Sequence, residues 1–194
     1  MEPWDTTKPC AIPDEDSMNS TMIASFRPQP GENAPYYDPY ISLVPGNEIL
    51  AALDEQRRQM LLLLSGRTEA DGDLRYAPGK WSLKEVLGHV NDTERIMSYR
   101  ALRIARGDQT PIEGYEQDDY VRHGPFGKCT LADLIEDYIS VRRATVSLLR
   151  NLDEAAWARR GVANKNEVTV RALAYVIAGH ELHHRKILEE KYLR

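Results

Sequence analysis

The stretch "VRALAYVIAGHELHHRKIL", residues 170–188, decides the fold. At about 100° per residue, Leu173, Val176, Ile177, His180, His184, Ile187 and Leu188 fall within one stripe of a helix. Two imidazoles therefore share the core-facing side with aliphatic side chains. A neutral ring carries one donor and one acceptor, and burying either without a partner is costly. A metal on one nitrogen and a polar acceptor on the other meets that demand. So does a set of ordinary hydrogen bonds, and the pair at i and i+4 leaves both readings open. His183 sits at the margin of the stripe, and Glu181 points off to its other side.

The same stretch contains "HELHH", residues 180–184, which matches the H-E-x-x-H signature of zinc peptidases with Glu181 as general base. That chemistry needs a third ligand, and only ten residues follow His184. The third ligand must come from upstream. An extended peptide also needs a cleft with an edge strand to lie along, and no part of the sequence is rich in strand patterns. Glu181 serves as a base only if a metal sits toward its side of the helix.

Upstream, "KWSLKEV" opens a second strongly patterned helix. Ser82 and Glu85 form a capping box, and Trp81 is spaced to pack on Val86 as a hydrophobic staple. Its apolar stripe comprises Leu83, Val86, Val90, Met97, Ala101 and Ile104, with His89 on one edge beside Thr93 and Ile96, and it ends at Gly107. His89 lies about two turns from the start of this helix, whereas His180 and His184 lie toward the far end of theirs. Antiparallel packing brings those levels together, so three imidazoles can cluster. Asp92, one turn beyond His89, either orients that ring or faces solvent.

Two further helices complete the set. One starts near Asn47 and runs through "EILAALDEQRRQMLLLLSG" to a stop at Gly66; another opens at Thr130 with Asp133 in its first turn and Leu134, Tyr138, Val141 and Leu148 at helical spacing. The last helix starts at about Thr169, after a turn-rich "VANKNEV". Four long helices make an all-α bundle the economical arrangement. The connection "DQTPIEGYEQDDYVRHGPFGKC", residues 108–129, is too long for a tight bundle turn and has the composition of a loop that covers a site. Within it Tyr115, Asp118 and Tyr120 are candidates for contacting a substrate at the mouth, together with Glu116 and Asp119; His123 is read as non-ligating. Residues 1–40 carry seven of the eleven prolines and show no period, so they are expected to form an extended N-terminal arm on a domain spanning 41–194.

The bulk properties narrow the partners. With 30 acidic against 25 basic side chains, spread along the chain, the net charge of -5 repels duplex nucleic acid. Short apolar runs such as Met60 to Leu64 cannot span a bilayer, and no signal segment opens the sequence, so a cytoplasmic protein with no membrane partner is expected. Cys10 and Cys129 are far apart and outside any CxxC, which argues against a disulfide framework or a thiolate zinc site.

Three segments, "YAPGKWSLKEVLGHVNDTER" (76–95), "YRALRIARGD" (99–108) and residues 170–188, resemble the DinB and YfiT-like superfamily of metal-binding four-helix bundles. The resemblance covers residues 42–194 and does not extend to the polymerase that shares the DinB name. It implies an up-down-down-up topology, a homodimer and a divalent metal such as zinc or nickel. Its pattern of one His in the second helix and H-x-x-x-H in the fourth falls on His89, His180 and His184, which leaves His183 out and makes the H-E-x-x-H match accidental. Members include transferases and isomerases that use small thiols such as mycothiol or bacillithiol. A small-molecule substrate and a low-molecular-weight thiol cosubstrate are therefore the expected partners. A non-catalytic metal-binding or stress-response module is the alternative, and a zinc hydrolase or peptidase working through "HELHH" a remote one. A three-imidazole site leaves open positions at which a metal ionises a bound thiol or water.

Overall fold

A computed structural model describes residues 27–193; residues 1–26 of the expected arm, with Cys10, and Arg194 lie outside the described residues. The described chain forms α1 (Asp38–Leu43), α2 (Ile49–Leu64), α3 (Glu69–Asp73), α4 (Leu83–Ala105), α5 (Gln117–His123), α6 (Leu131–Arg150), α7 (Glu154–Ala158), a hairpin of β1 (Arg160–Ala163) and β2 (Asn166–Thr169), and α8 (Val170–Ile187), which ends in a π-helical turn. The sequence signals for the helix ends hold. Ser82 accepts from the Glu85 amide while Glu85 reaches back to the Ser82 amide, and Thr130 with Asp133 makes a second such box. Thr169 caps α8 by accepting from the Ala172 amide. At Gly107, φ +81°, the chain reverses out of α4 in a conformation that L side chains rarely adopt.

Helices α2, α4, α6 and α8 form the four-helix bundle, with cyclic order α2–α6–α4–α8. Side-chain pairs fix the directions. Asn91 bonds the Leu134 carbonyl and Asp137, and Glu94 meets Arg142, so α4 and α6 run parallel. His89, near the start of α4, meets His180 and His184 toward the end of α8, so that pair is antiparallel. Gln59 accepts from Arg185, whereas Asp54 faces Arg150 and Gln56 faces Arg142; α2 is parallel to α8 and antiparallel to α6. This is the up-down-down-up arrangement. The parallel α4–α6 pair is what requires the long connection between them.

The core has two apolar halves. One gathers Ile49, Leu53, Met97, Ala101, Ile104 and the first half of α8; the other gathers Met60, Leu64, Leu83, Leu87, Leu134, Tyr138 and Leu188. Between them lies a belt of buried polar residues, namely Gln56, Thr93, Glu94, Arg142, Thr145, His180 and Glu181.

Besides α5, a helix that forms inside the connection read as a loop and carries Asp118 and Tyr120, two segments differ from the sequence reading. The boundary drawn at residue 40 falls inside α1, and residues 35–43 are helical rather than extended. Their side chains Tyr37 and Ile41 are buried, and the Tyr40 carbonyl lies so close to α8 that a Cβ on Gly179 would sit 2.0 Å from it. Arg27 donates to the Ile41 carbonyl at 2.8 Å and to the Gly46 carbonyl at 3.1 Å, tying the end of α1 down. The turn-rich segment before α8 is a two-stranded hairpin turning on Asn164 and Lys165, both with positive φ. Ile112 pairs with the hairpin through the Val162 carbonyl and the Asn164 amide, which anchors the long connection there.

Candidate metal centre

α4 and α8 bring His89, His180 and His184 together. Ring nitrogens of all three lie within 4.8 Å of one another. The Nε2 atoms of His89 and His180 are 3.0 Å apart. Two nitrogens each about 2.0–2.1 Å from a shared ion are separated by about 2.9–3.4 Å, so this spacing suits a common ligand sphere. His89 and His180 are buried, and His184 borders a cavity. Burial pushes the His89 ring down to about 4, against a smaller opposing pull from the Asp118 charge. Burial likewise pushes His184 down to about 3, helped by His89 and His183, and drives His180 well below the ordinary histidine range. All three are therefore neutral at pH 7 and offer lone pairs, the state a metal requires.

Aromatic rings wall the cluster. Trp81 lies 4.9 Å from His89 between ring centroids, and Tyr40 lies 5.6 Å from both His180 and the exposed His183. Cavities open on two sides. One of about 410 Å³ reaches His180 and is lined by Tyr40, Thr93, Met97, Arg100 and Tyr115; another of about 330 Å³ reaches His184 past Trp81, Asp118 and Tyr192.

The accessory candidates separate. Tyr115 lines the larger cavity and its hydroxyl is 2.9 Å from that of Thr93; Tyr120 packs edge-on against it at the surface. Asp118 borders the smaller cavity. His123 is exposed, with Nδ1 on the Asp119 carbonyl, and does not join the cluster. Asp92 is held loosely by Arg95 at 3.7 Å, and no hydrogen bond links it to His89.

Glu181 is not disposed as a base. It is buried against Arg142 of α6, which also grips Glu94 at 2.8 Å and donates to the Leu53 carbonyl. Burial raises the Glu181 carboxyl above its usual range in spite of the Arg142 charge.

Sequence reasoning missed Tyr40, Trp81's contact with His89, and Arg100. Tyr40 lies in a segment without period and carried no signal. Arg100 did carry one, because it continues the His89, Thr93, Met97 side of α4 at helical spacing.

A four-helix bundle with three converging neutral imidazoles on its second and fourth long helices defines a class of metal-site bundles. The chain belongs to the DinB superfamily, whose model matches residues 20–188. YfiT from Bacillus subtilis, described as a "probable metal-dependent hydrolase with an unusual four-helix bundle topology", superposes with a TM-score of 0.67 at 16% identity, covering 87% of this chain and 92% of that one. A mycothiol-dependent maleylpyruvate isomerase superposes with a TM-score of 0.61 at 13% identity over 75% of this chain and 61% of that one. No curated protein sequence matches. Among the described residues no helix is long and apolar enough to cross a membrane.

Proposed function

We propose that the chain is a metal-dependent thiol S-transferase that joins a small-molecule thiol through its sulfur to an electrophilic substrate, with zinc or nickel held by His89, His180 and His184. The observation that carries this reading is the convergence of three neutral imidazoles with one cavity reaching His180 and a second, separate one reaching His184. A thiol and an electrophile need two approaches to one centre, whereas hydrolysis needs only one besides water. A bound divalent ion would supply Lewis acidity, lowering the pKa of a coordinated thiol so that it is nucleophilic at neutral pH.

The protein's own groups do the rest. Trp81 and Tyr40 exclude water from the imidazoles, and the two cavities orient the reactants. In the transfer the thiolate sulfur forms a bond to the electrophilic carbon, the carbon's leaving group departs with its electron pair, and the thiol proton goes to solvent. The mycothiol-dependent relative supports a thiol partner; the description of YfiT supports hydrolysis as the second reading. Peptidase chemistry through "HELHH" is disfavoured because Arg142 already occupies the Glu181 carboxylate.

Elemental mass spectrometry on tag-free wild type and His89→Ala tests the centre. About one equivalent of zinc or nickel in the wild type, lost from the variant, is expected. Reconstituted protein is then offered a small thiol with an activated aryl halide or epoxide, and in parallel an ester panel. Thiol-dependent turnover that His89→Ala abolishes supports transfer. Turnover of esters alone shifts the reading to hydrolysis, and inert, fully loaded protein points to a metal-binding module.

A further inference from the structure

Arg100 and Arg142 are the two arginines among the largest fully buried side chains, and their surroundings differ. Arg142 is neutralised by Glu94 and Glu181. Arg100 has only 2% of its surface exposed, yet none of the ion pairs among the described residues includes it. Its guanidinium donates to the Glu113 carbonyl at 2.9 Å and touches the Met97 sulfur at 3.6 Å, while Nε has no partner. A buried cation without a counter-charge is strongly unfavourable, and such groups persist where a ligand completes them. Arg100 lines the larger cavity, the one that His180 also lines.

We infer that this cavity binds a small monocarboxylate with an apolar or aromatic body, its carboxylate paired with Arg100 and its far end at the three-histidine centre. The inference names the electrophile's class for the enzyme proposed above and rests on that reading for its catalytic meaning. Arg100 lies eleven residues, about 16 Å of helix, beyond His89. Helical side chains lean toward the N-terminus, so the guanidinium reaches back along α4 toward the imidazoles, as its Met97 contact shows. Between the two ends the Tyr37, Tyr40 and Tyr115 rings, Met97 and Val176 offer faces for a flat or aliphatic body, while Thr93, Gln117, Asn164 and Asn166 add polar groups to the same lining. The Arg100 guanidinium also lies over the Tyr115 ring, 5.9 Å from its centroid, which holds the fork in place. The charge count selects the anion. Arg100 is the only lysine or arginine lining this cavity among the described residues, and Glu116 stands exposed at its mouth, so a monoanion is compensated and a phosphate dianion is not.

The test compares hydrocinnamate, hydrocinnamamide and phenethylphosphonate, which share one body, by titration calorimetry on the full chain with and without bound zinc. In the wild type the carboxylate is expected to bind about ten- to hundredfold more tightly than the amide. It should also bind more tightly than the phosphonate, and Arg100→Met should erase the preference without changing metal content. Arg100→Lys should retain part of it. Equal affinities for acid and amide, a preference for the phosphonate, no binding by any of the three, or a preference that survives Arg100→Met would each overturn the inference. The wild-type comparison stands even if Arg100→Met fails to fold. A carboxylate preference that needs zinc and ignores Arg100 would mean the acid binds the ion instead. Failure of the metal reading appears separately, as zero metal content with the Arg100-dependent preference intact.

Discussion

At the scale of single residues, charge balance separates the groups that hold the bundle from those that serve the site. Arg142 sits between two buried carboxylates, and removing it leaves Glu94 and Glu181 facing each other out of water. Arg142→Met is therefore expected to destabilise the protein by about 3–5 kcal/mol. Replacing the whole trio, Arg142→Met with Glu94→Gln and Glu181→Gln, should recover most of that loss because no uncompensated charge remains. Urea midpoints on metal-free protein check both, and a triple variant no more stable than the single one would refute this account. Glu181→Gln alone should keep its metal and its turnover, the reverse of what a peptidase base predicts. The three ligand candidates were legible as residues because two shared an apolar stripe and one edged another. Their convergence was not legible, since the level at which α4 and α8 cross depends on packing that no local pattern encodes. Glu181 misled because a motif match ignores what lies across the interface.

At the scale of elements, the sequence revealed the long helices by their apolar period, α2 even without a side-chain cap, whereas the five-residue α3 and α7 escaped although Thr68 and Asp153 cap them. Ser82 with Glu85, Thr130, Thr169 and Gly107 each satisfy or redirect terminal backbone groups, and each is visible in a window of four residues. The hairpin escaped because Asn164-Lys165 lacks the glycine that usually marks a tight turn and because its strands have four residues each. α1 escaped for a different reason: prolines mask it, and what stabilises it is a tertiary contact at Gly179. That contact makes a signed prediction. In an ordinary helix Gly→Ala stabilises by about 0.5–1 kcal/mol. At Gly179 the new Cβ would meet the Tyr40 backbone carbonyl, so Gly179→Ala is expected to destabilise by about 1–3 kcal/mol as α1 is pushed off α8. Thermal melts give the sign directly. Because α1 carries Tyr40 onto His180, the same variant should also weaken ligand binding in the larger cavity.

At the scale of the whole molecule, a polar belt divides the core, and its two parts tie different helices. The Arg142 cluster joins α2, α4, α6 and α8, whereas the imidazoles join only α4 and α8. The first pairs its charges within the chain, with Arg142 between Glu94 and Glu181, although Glu181 Oε1 has no hydrogen-bond partner. The second places three neutral rings with converging nitrogens between two cavities, a state whose lone pairs a cation would satisfy better than the rings satisfy one another. If the ion binds the folded chain and not the unfolded one, free ion at a hundred times its dissociation constant adds about 2.7 kcal/mol. Chelation should then lower the melting temperature of wild type by several degrees and leave His89→Ala unmoved. Hydrogen exchange should localise the loss to amides of α4 and α8 around the rings, with α2 and α6 largely spared because the Arg142 cluster still holds them. A chelation effect of equal size in His89→Ala would mean that the ion acts elsewhere on the chain, and loss of protection spread evenly over all four helices would mean that the two parts of the belt are one cooperative unit.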